Sequence, residues 1–336
     1  MSHVSAARQA VALAAEGRTE AALDLLDRAA DAGDGEAIFA RGLWRIDGRL
    51  LARDLAAARE DIRQASEAGH RDGGRVYAGF LAIGAGGPRD WPAALATLDR
   101  WADRDPLAAR QLALIDAMAL DADGAPTAVP SPEMLRESPS ITMFRSLFSA
   151  EECAMLVSLA EPRFRPALIF HEGRKSFVRD PLRDSDASAF QLVTESPFVH
   201  ALNRRIAAAA GTDIAQGETL QILRYGAGQQ YRPHLDAIPG MANQRILTAL
   251  AYLNDDYEGG ETEFLDLDLA VRGACGDMLL FANALDDGRP DPRTRHAGCP
   301  IRSGTKLVAS RWIRQRPPED PSRGFGQHEA EAPRGA

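Results

Sequence analysis

A 36-residue periodicity in the first third of the chain is the strongest constraint on what it can fold into. Ala21-Ala22-Leu23 returns as Ala57-Ala58-Arg59 and again as Ala93-Ala94-Leu95. Ala29-Ala30-Asp31-Ala32-Gly33 returns as Ala65-Ser66-Glu67-Ala68-Gly69 and degrades in the third copy to Trp101-Ala102-Asp103-Arg104-Asp105. Apolar positions across residues 5–120 fall at helical spacing. Alanine lets paired helices approach closely, and Gly33 and Gly69 stand where a left-handed residue ends a helix. One helix pair cannot bury its apolar face alone, so the copies must stack and share a core.

Gly86-Gly87-Pro88-Arg89-Asp90-Trp91-Pro92-Ala93-Ala94-Leu95 resembles the loop and helix start of a Sel1-like repeat. The resemblance implies a protein-interaction scaffold over residues 1–120. Three prolines and a glycine in residues 121–133 forbid regular structure, so 121–139 is expected to be a linker. Residues 317–336 carry proline, glycine and charge without periodicity and read as a disordered tail.

The chain of 336 residues is long enough for two domains, and 45% hydrophobic with 26% charged residues is ordinary for a globular protein. A formal net charge of -9 argues against general binding to nucleic acid or anionic membranes. Cys153, Cys275 and Cys299 are too few and too scattered for a disulfide framework. The start Met-Ser-His-Val-Ser-Ala-Ala-Arg-Gln lacks a secretion signal, and no apolar run reaches the ~20 residues of a membrane helix. A soluble, cytoplasmic protein is the expectation.

The texture changes after residue 139. Ile141-Thr142-Met143-Phe144 reads as a strand, and Ser149 followed by Glu152 reads as the capped start of a helix. Between 218 and 313, short β-rich runs alternate with turns: Leu220 to Tyr225, Ile246 to Leu253, Glu261 to Phe264, Asp277 to Phe281 and Lys306 to Ile313. Even spacing of this kind predicts a sandwich or barrel over 140–316.

Within that region, Tyr231-Arg232-Pro233-His234-Leu235-Asp236 sets a histidine and an aspartate two residues apart, on one face of a strand. His296 offers a third donor from another strand. Two imidazoles and one carboxylate leave half of an octahedral iron open, which suits a non-haem Fe(II) centre that activates O2. Lys306 lies in an apolar run, Thr305-Lys306-Leu307-Val308-Ala309. An inward lysine there needs an anionic partner, because burying a lone ammonium is unfavourable; alternation alone leaves an outward lysine open.

Leu220 to Gly226, Tyr231 to Asp236, Asn243-Gln244-Arg245, Tyr252-Leu253-Asn254-Asp255, Glu258-Gly259-Gly260-Glu261-Thr262, Gly276 to Phe281, and the stretch from Asp287 through His296-Ala297-Gly298-Cys299-Pro300 to Lys306 occur in one order. In these motifs the chain resembles the prolyl 4-hydroxylase branch of the 2-oxoglutarate and Fe(II)-dependent dioxygenases, over residues ~140–315. The resemblance implies a double-stranded β-helix (jelly roll) with flanking helices, following the N-terminal α-solenoid. It implies His234, Asp236 and His296 as iron ligands, with L-ascorbate as a further candidate cofactor. Lys306 would pair with the far carboxylate of 2-oxoglutarate, assisted by Tyr225 and Thr262, through charge-assisted bonds of ~1.5–3 kcal/mol each. Tyr231, Arg245 and Trp312 match positions that hold a peptidyl substrate. Core packing for Trp312 and an exposed strand-start charge for Arg245 are the plainer alternatives.

The implied reaction is hydroxylation of a C–H bond, with 2-oxoglutarate leaving as succinate and carbon dioxide. A peptidyl proline in a protein recruited by the helical repeats is the first substrate class. Another residue or a small molecule, a non-catalytic scaffold, and a cupin-like zinc or manganese enzyme are the alternatives. Gly259-Gly260 reads as a tight turn rather than a phosphate loop. Cys299 reads as a core thiol, and His3, His70, His171, His200 and His328 as structural or exposed. Arg183-Asp184-Ser185 stands where the family carries Arg-Thr-Ser in a mobile loop, and Leu235 where phenylalanine is frequent.

Overall fold

The computed structural model describes residues 5–171, 176–179 and 182–319, with 168–171 and 176–179 described by backbone alone. His3, His328, the side chain of His171 and the tail from 320 onward lie outside the described residues. The chain divides into two compact units: Met1–Ala125 with Leu192–Ala201, and Pro126–Gln191 with Leu202–Ala336.

The first unit is helical. Its helices are α1 (Ala6–Ala15), α2 (Thr19–Asp31), α3 (Gly35–Asp47), α4 (Leu55–Glu67), α5 (Arg71–Ile83), α6 (Trp91–Ala102) and α7 (Pro106–Asp116). Helices α2, α4 and α6 open at residues 19, 55 and 91, so the 36-residue spacing of the sequence becomes a spacing of helix starts. Asp54 and Asp90 cap α4 and α6 with side-chain acceptors at 2.9 Å, which satisfies amides the first turn leaves unpaired. Gly33 and Gly69 take φ of 84° and 88°, the left-handed conformation that stops a helix. Alanines 22, 30, 37 and 65 are buried with Leu26 and Ile38 in one core cluster, where small side chains let the helices close up. His70 accepts from Gly73 N–H as a cap, and His200 pairs with Glu195 at 2.9 Å.

The second unit is rich in antiparallel sheet. It begins with β1 (Glu133–Arg136) and β2 (Ile141–Phe144), followed by α8 (Ala150–Ala160). Then come β3 (Arg165–Pro166), β4 (Leu168–His171), β5 (Ser176–Arg179) and β6 (Asp186–Ala189). Helix α9 (Pro197–Ala210), whose residues up to Ala201 group with the first unit, precedes β7 (Gln221–Tyr225), β8 (Tyr231–His234), β9 (Arg245–Tyr252), β10 (Glu258–Gly259), β11 (Thr262–Phe264) and β12 (Leu269–Val271). The last strands are β13 (Met278–Ala282), β14 (His296–Gly298), β15 (Ile301–Ser303) and β16 (Lys306–Arg314). The large sheet runs β1-β2-β13-β9-β16-β7-β6-β3 and the small one β12-β11-β14-β8. Along the chain, β7, β9, β13 and β16 of the large sheet alternate with β8, β11-β12 and β14 of the small one. That order is compatible with a jelly roll.

Apolar side chains from both sheets meet in one cluster: Ile141, Leu279 and Phe281 from the large sheet, Phe264 and Val271 from the small. The Ser149 capping box at α8 forms as its sequence predicts, with Glu152 N–H donating to the serine and Ser149 N–H to the Glu152 carboxylate. One expectation needs correcting. Residues 133–136 lie inside the segment predicted as linker, yet they form β1 and pair with β2. No proline falls between Pro132 and Pro139, and Glu133-Met134-Leu135-Arg136 keeps every amide it needs to add an edge to the sheet.

Candidate active site

Strand pairing assembles the site. His296 on β14 lies directly across from His234 on β8, so two residues 62 positions apart become neighbours. Asp236 follows β8 by two residues. The donor atoms of all three lie within 4.8 Å of one another. His234 Nδ1 meets the Arg232 carbonyl at 2.8 Å, and His296 Nδ1 meets the Thr294 carbonyl at 2.9 Å. A carbonyl only accepts, so each Nδ1 carries the proton and each Nε2 presents a lone pair. Those lone pairs face the Asp236 carboxylate, at 3.5 Å from Oδ1 for His234 and 3.7 Å from Oδ2 for His296.

The electrostatics agree with that assignment. Burial pushes the His296 imidazole down to about 4, against the pull of Asp236, so it is neutral at pH 7. Burial alone would raise the Asp236 carboxyl. Positive charge at the imidazole edge and the Thr248 hydroxyl outweigh it and hold the group well below the ordinary carboxylate range; with both Nε2 atoms unprotonated, that positive charge must come from a cation. Two lone pairs and a buried anion aimed at one point repel one another unless a cation sits between them. This donor set of two neutral imidazoles and a carboxylate fits a divalent iron.

The pocket beside the three has about 560 Å³ of empty space, its solvent-open mouth included. Lys306, Val308, Ser310 and Trp312, alternate residues of β16, line one wall. Lys306 pairs across strands with Tyr225, and both line the pocket, as does Thr262 on β11. Lys306 is 5% exposed, which decides the open question of its direction in favour of the interior. Its Nζ donates to the Gly260 carbonyl at 2.6 Å. Burial pushes its ammonium down to about 8, opposed by Cys299 and Glu261. Thr262 Oγ1 lies 3.4 Å from the Tyr252 hydroxyl.

Tyr231 stacks on the His234 ring with centroids 3.5 Å apart, and both Tyr231 and Trp312 face the pocket. Arg245 does not line it. Its guanidinium makes a two-pronged bond to Glu218, at 2.7 and 2.9 Å, and lies 3.8 Å from the centre of the Trp312 ring. Cys299, read above as a core thiol, is half-buried and lines the pocket, 3.4 Å from Glu263 Oε2. Arg183 also lines the pocket, over the Tyr231 ring. The family resemblance sets it in a loop whose detailed role the aspartate at 184, in place of threonine, leaves open. Gly259 and Gly260 take φ of 75° and 69°, the left-handed region that glycine enters freely, in the tight turn expected of them.

The sequence pattern of the 2OG-Fe(II) oxygenase superfamily matches residues 220–314, which contain the whole triad and Lys306. Prolyl 4-hydroxylase 1 of Arabidopsis thaliana is 34% identical over 204 residues, covering 55% of this chain and 72% of the relative. The chain belongs to the 2OG-Fe(II) oxygenase superfamily. It is an oxidoreductase of that superfamily, with Fe(II) and 2-oxoglutarate as its cofactors. Prolyl 4-hydroxylase subunit alpha-1 of Gallus gallus is 32% identical over 189 residues, and the chain spans only 36% of its length. Among solved structures, viral collagen prolyl hydroxylase from Paramecium Bursaria Chlorella virus-1, in its 2OG complex, aligns with a TM-score of 0.43 at 24% identity. That alignment covers 52% of this chain and 95% of the other. In this oxygenase no helix among the described residues is long and apolar enough to cross a membrane.

Proposed function

We propose that this oxygenase hydroxylates a peptidyl proline in a protein substrate. The observation that carries the reading is the pair of imidazoles with Nδ1 tied to backbone carbonyls and Nε2 turned on one buried carboxylate. His234, Asp236 and His296 would hold Fe(II). When bound, the iron supplies O2 activation and the oxidative decarboxylation of 2-oxoglutarate to succinate and carbon dioxide.

The chain's own share is positioning and exclusion of water. Lys306 takes the far carboxylate of 2-oxoglutarate, and Tyr225 and Thr262, which line the same pocket, share it through their hydroxyls. Substrate meets the Tyr231 and Trp312 rings, apolar surfaces in the pocket suited to a pyrrolidine. Arg245 serves from behind Trp312, through the stack on its ring. We assign the second unit to the double-stranded β-helix fold and the helical unit to a Sel1-like solenoid that recruits the protein substrate. L-ascorbate is the proposed reductant that keeps the iron ferrous. Three unbridged cysteines support a cytoplasmic setting.

The test incubates iron-loaded protein with 2-oxoglutarate, O2 and peptides that carry proline or alanine at one position. Succinate release with a one-oxygen mass gain on the proline peptide alone is the expected result. Turnover of free amino acids only would reject the peptidyl reading. Absence of even uncoupled 2-oxoglutarate decarboxylation would reject catalysis.

A further inference from the structure

Two buried polar side chains stand behind Asp236. Thr248 lies in β9 and Asn283 follows β13, each 1% exposed. Asn283 Nδ2 donates to Thr248 Oγ1 at 2.8 Å, and Thr248 Oγ1 meets Asp236 Oδ2 at 2.7 Å. The direction of the second bond follows from the first. The amide occupies the accepting side of the hydroxyl, so its single proton goes to the carboxylate. Asn283 is itself pinned, its N–H donating to the Ile246 carbonyl at 2.9 Å and its carbonyl accepting from Asp291 N–H at 3.0 Å.

The Asn283 side-chain oxygen is buried without a hydrogen-bond partner among the described residues. A leucine would fill that space without orphaning an acceptor, and such orphans are destabilising. What the amide supplies in return is the donor that orients the threonine. Both carboxylate oxygens of Asp236 face an imidazole, Oδ1 at 3.5 Å from His234 Nε2 and Oδ2 at 3.7 Å from His296 Nε2, but only Oδ2 also receives a charge-assisted bond, which makes the two unequal.

We propose that Thr248 and Asn283 are positioning residues that make Asp236 a one-oxygen ligand. This rests on the reading of His234, Asp236 and His296 as the metal site. A carboxylate gripping with both oxygens would take two coordination positions. Held to one, it leaves three of six positions for other ligands, which 2-oxoglutarate with its two donors and O2 together require. Outer partners of this kind typically change metal affinity 10–100-fold.

The test uses the full-length protein and Co(II), whose visible absorption reports coordination number. The wild type is expected to bind Co(II) with a stable spectrum. Thr248→Val keeps the shape and removes the hydroxyl, so it should bind about 10–100-fold more weakly, with altered band intensity. Thr248→Ser should restore both affinity and spectrum. An unchanged affinity and spectrum in Thr248→Val would overturn the proposal. Should that variant fail to fold, Asn283→Leu decides: a shifted Co(II) spectrum supports the chain of bonds, and a wild-type spectrum refutes it. Asp236→Ala separates the two readings. If it binds Co(II) as the wild type does, the metal-site assignment falls, whatever the Thr248 variants show.

Discussion

Lys306 sits at 5% exposure with its Nζ on the Gly260 carbonyl, and burial holds its ammonium down to about 8. The lowered value has a direct consequence for cosubstrate binding. A dianion binds the protonated lysine, and the bound carboxylate raises the lysine again, so the complex keeps the proton to higher pH than the free protein does. Affinity for 2-oxoglutarate should therefore be flat below the free value. It should then fall by up to about tenfold per pH unit above it. Calorimetry from roughly pH 6.5 to 9.5 checks this; a flat profile throughout would place the charge contact elsewhere. Lys306→Ala should weaken 2-oxoglutarate binding by the ~3–5 kcal/mol of an uncompensated buried partner while leaving metal affinity near normal. Residues like this one were legible in the chain because charge inside an apolar run is rare. Thr248 and Asn283 were not, since a hydroxyl or amide on a sheet strand has no spacing of its own. Arg245 was found by motif, but its commitment to Glu218 and the Trp312 ring depends on contacts 27 and 67 residues away that no pattern encodes.

Among the elements, the turn between β10 and β11 ties the sheet to the site. Gly260 has φ of 69°, and a Cβ there would press on Ile301 Cδ1 and lie 3.2 Å from Lys306 Cδ. Its carbonyl is the acceptor that steadies the lysine. Gly260→Ala should lower the melting temperature and raise the 2-oxoglutarate requirement several-fold, with Co(II) affinity unchanged. Gly288→Ala is the control: φ is 80° there and nothing lies within 4 Å of the new Cβ, so it carries only the ~1–2 kcal/mol of a left-handed non-glycine residue. If both variants show the same 2-oxoglutarate requirement, the turn does not act through Lys306. Strands β2, β7, β9, β11, β13 and β16 were readable as short β-rich runs between turns. The edge strand β1 was not, because four residues beside a proline-rich stretch carry too little periodicity to separate from a linker.

For the whole molecule, the informative finding is that the helical unit is not one continuous stretch. Residues 192–201 group with it across more than sixty intervening positions. The repeat was visible because each copy resembles the next. The returning segment resembles none of them, and only packing identifies it. Leu192 joins the cluster of Ile62, Phe80 and Ala85, and the Glu195 carbonyl approaches Gly79 of α5 closely enough that a Cβ there would lie 2.6 Å from it. Glycine inside a helix is ordinarily a liability, and Gly→Ala gains up to ~1 kcal/mol. At Gly79 the sign should invert. The obstacle is a backbone oxygen rather than the end of a flexible side chain, so relief requires moving the segment or the helix. Gly79→Ala should lose protection against hydrogen exchange in α5 and in residues 192–201 together, and unfold at lower denaturant than the wild type. A stabilised Gly79→Ala, with exchange in 192–201 unchanged, would mean that this segment rests on the helices without being built into them.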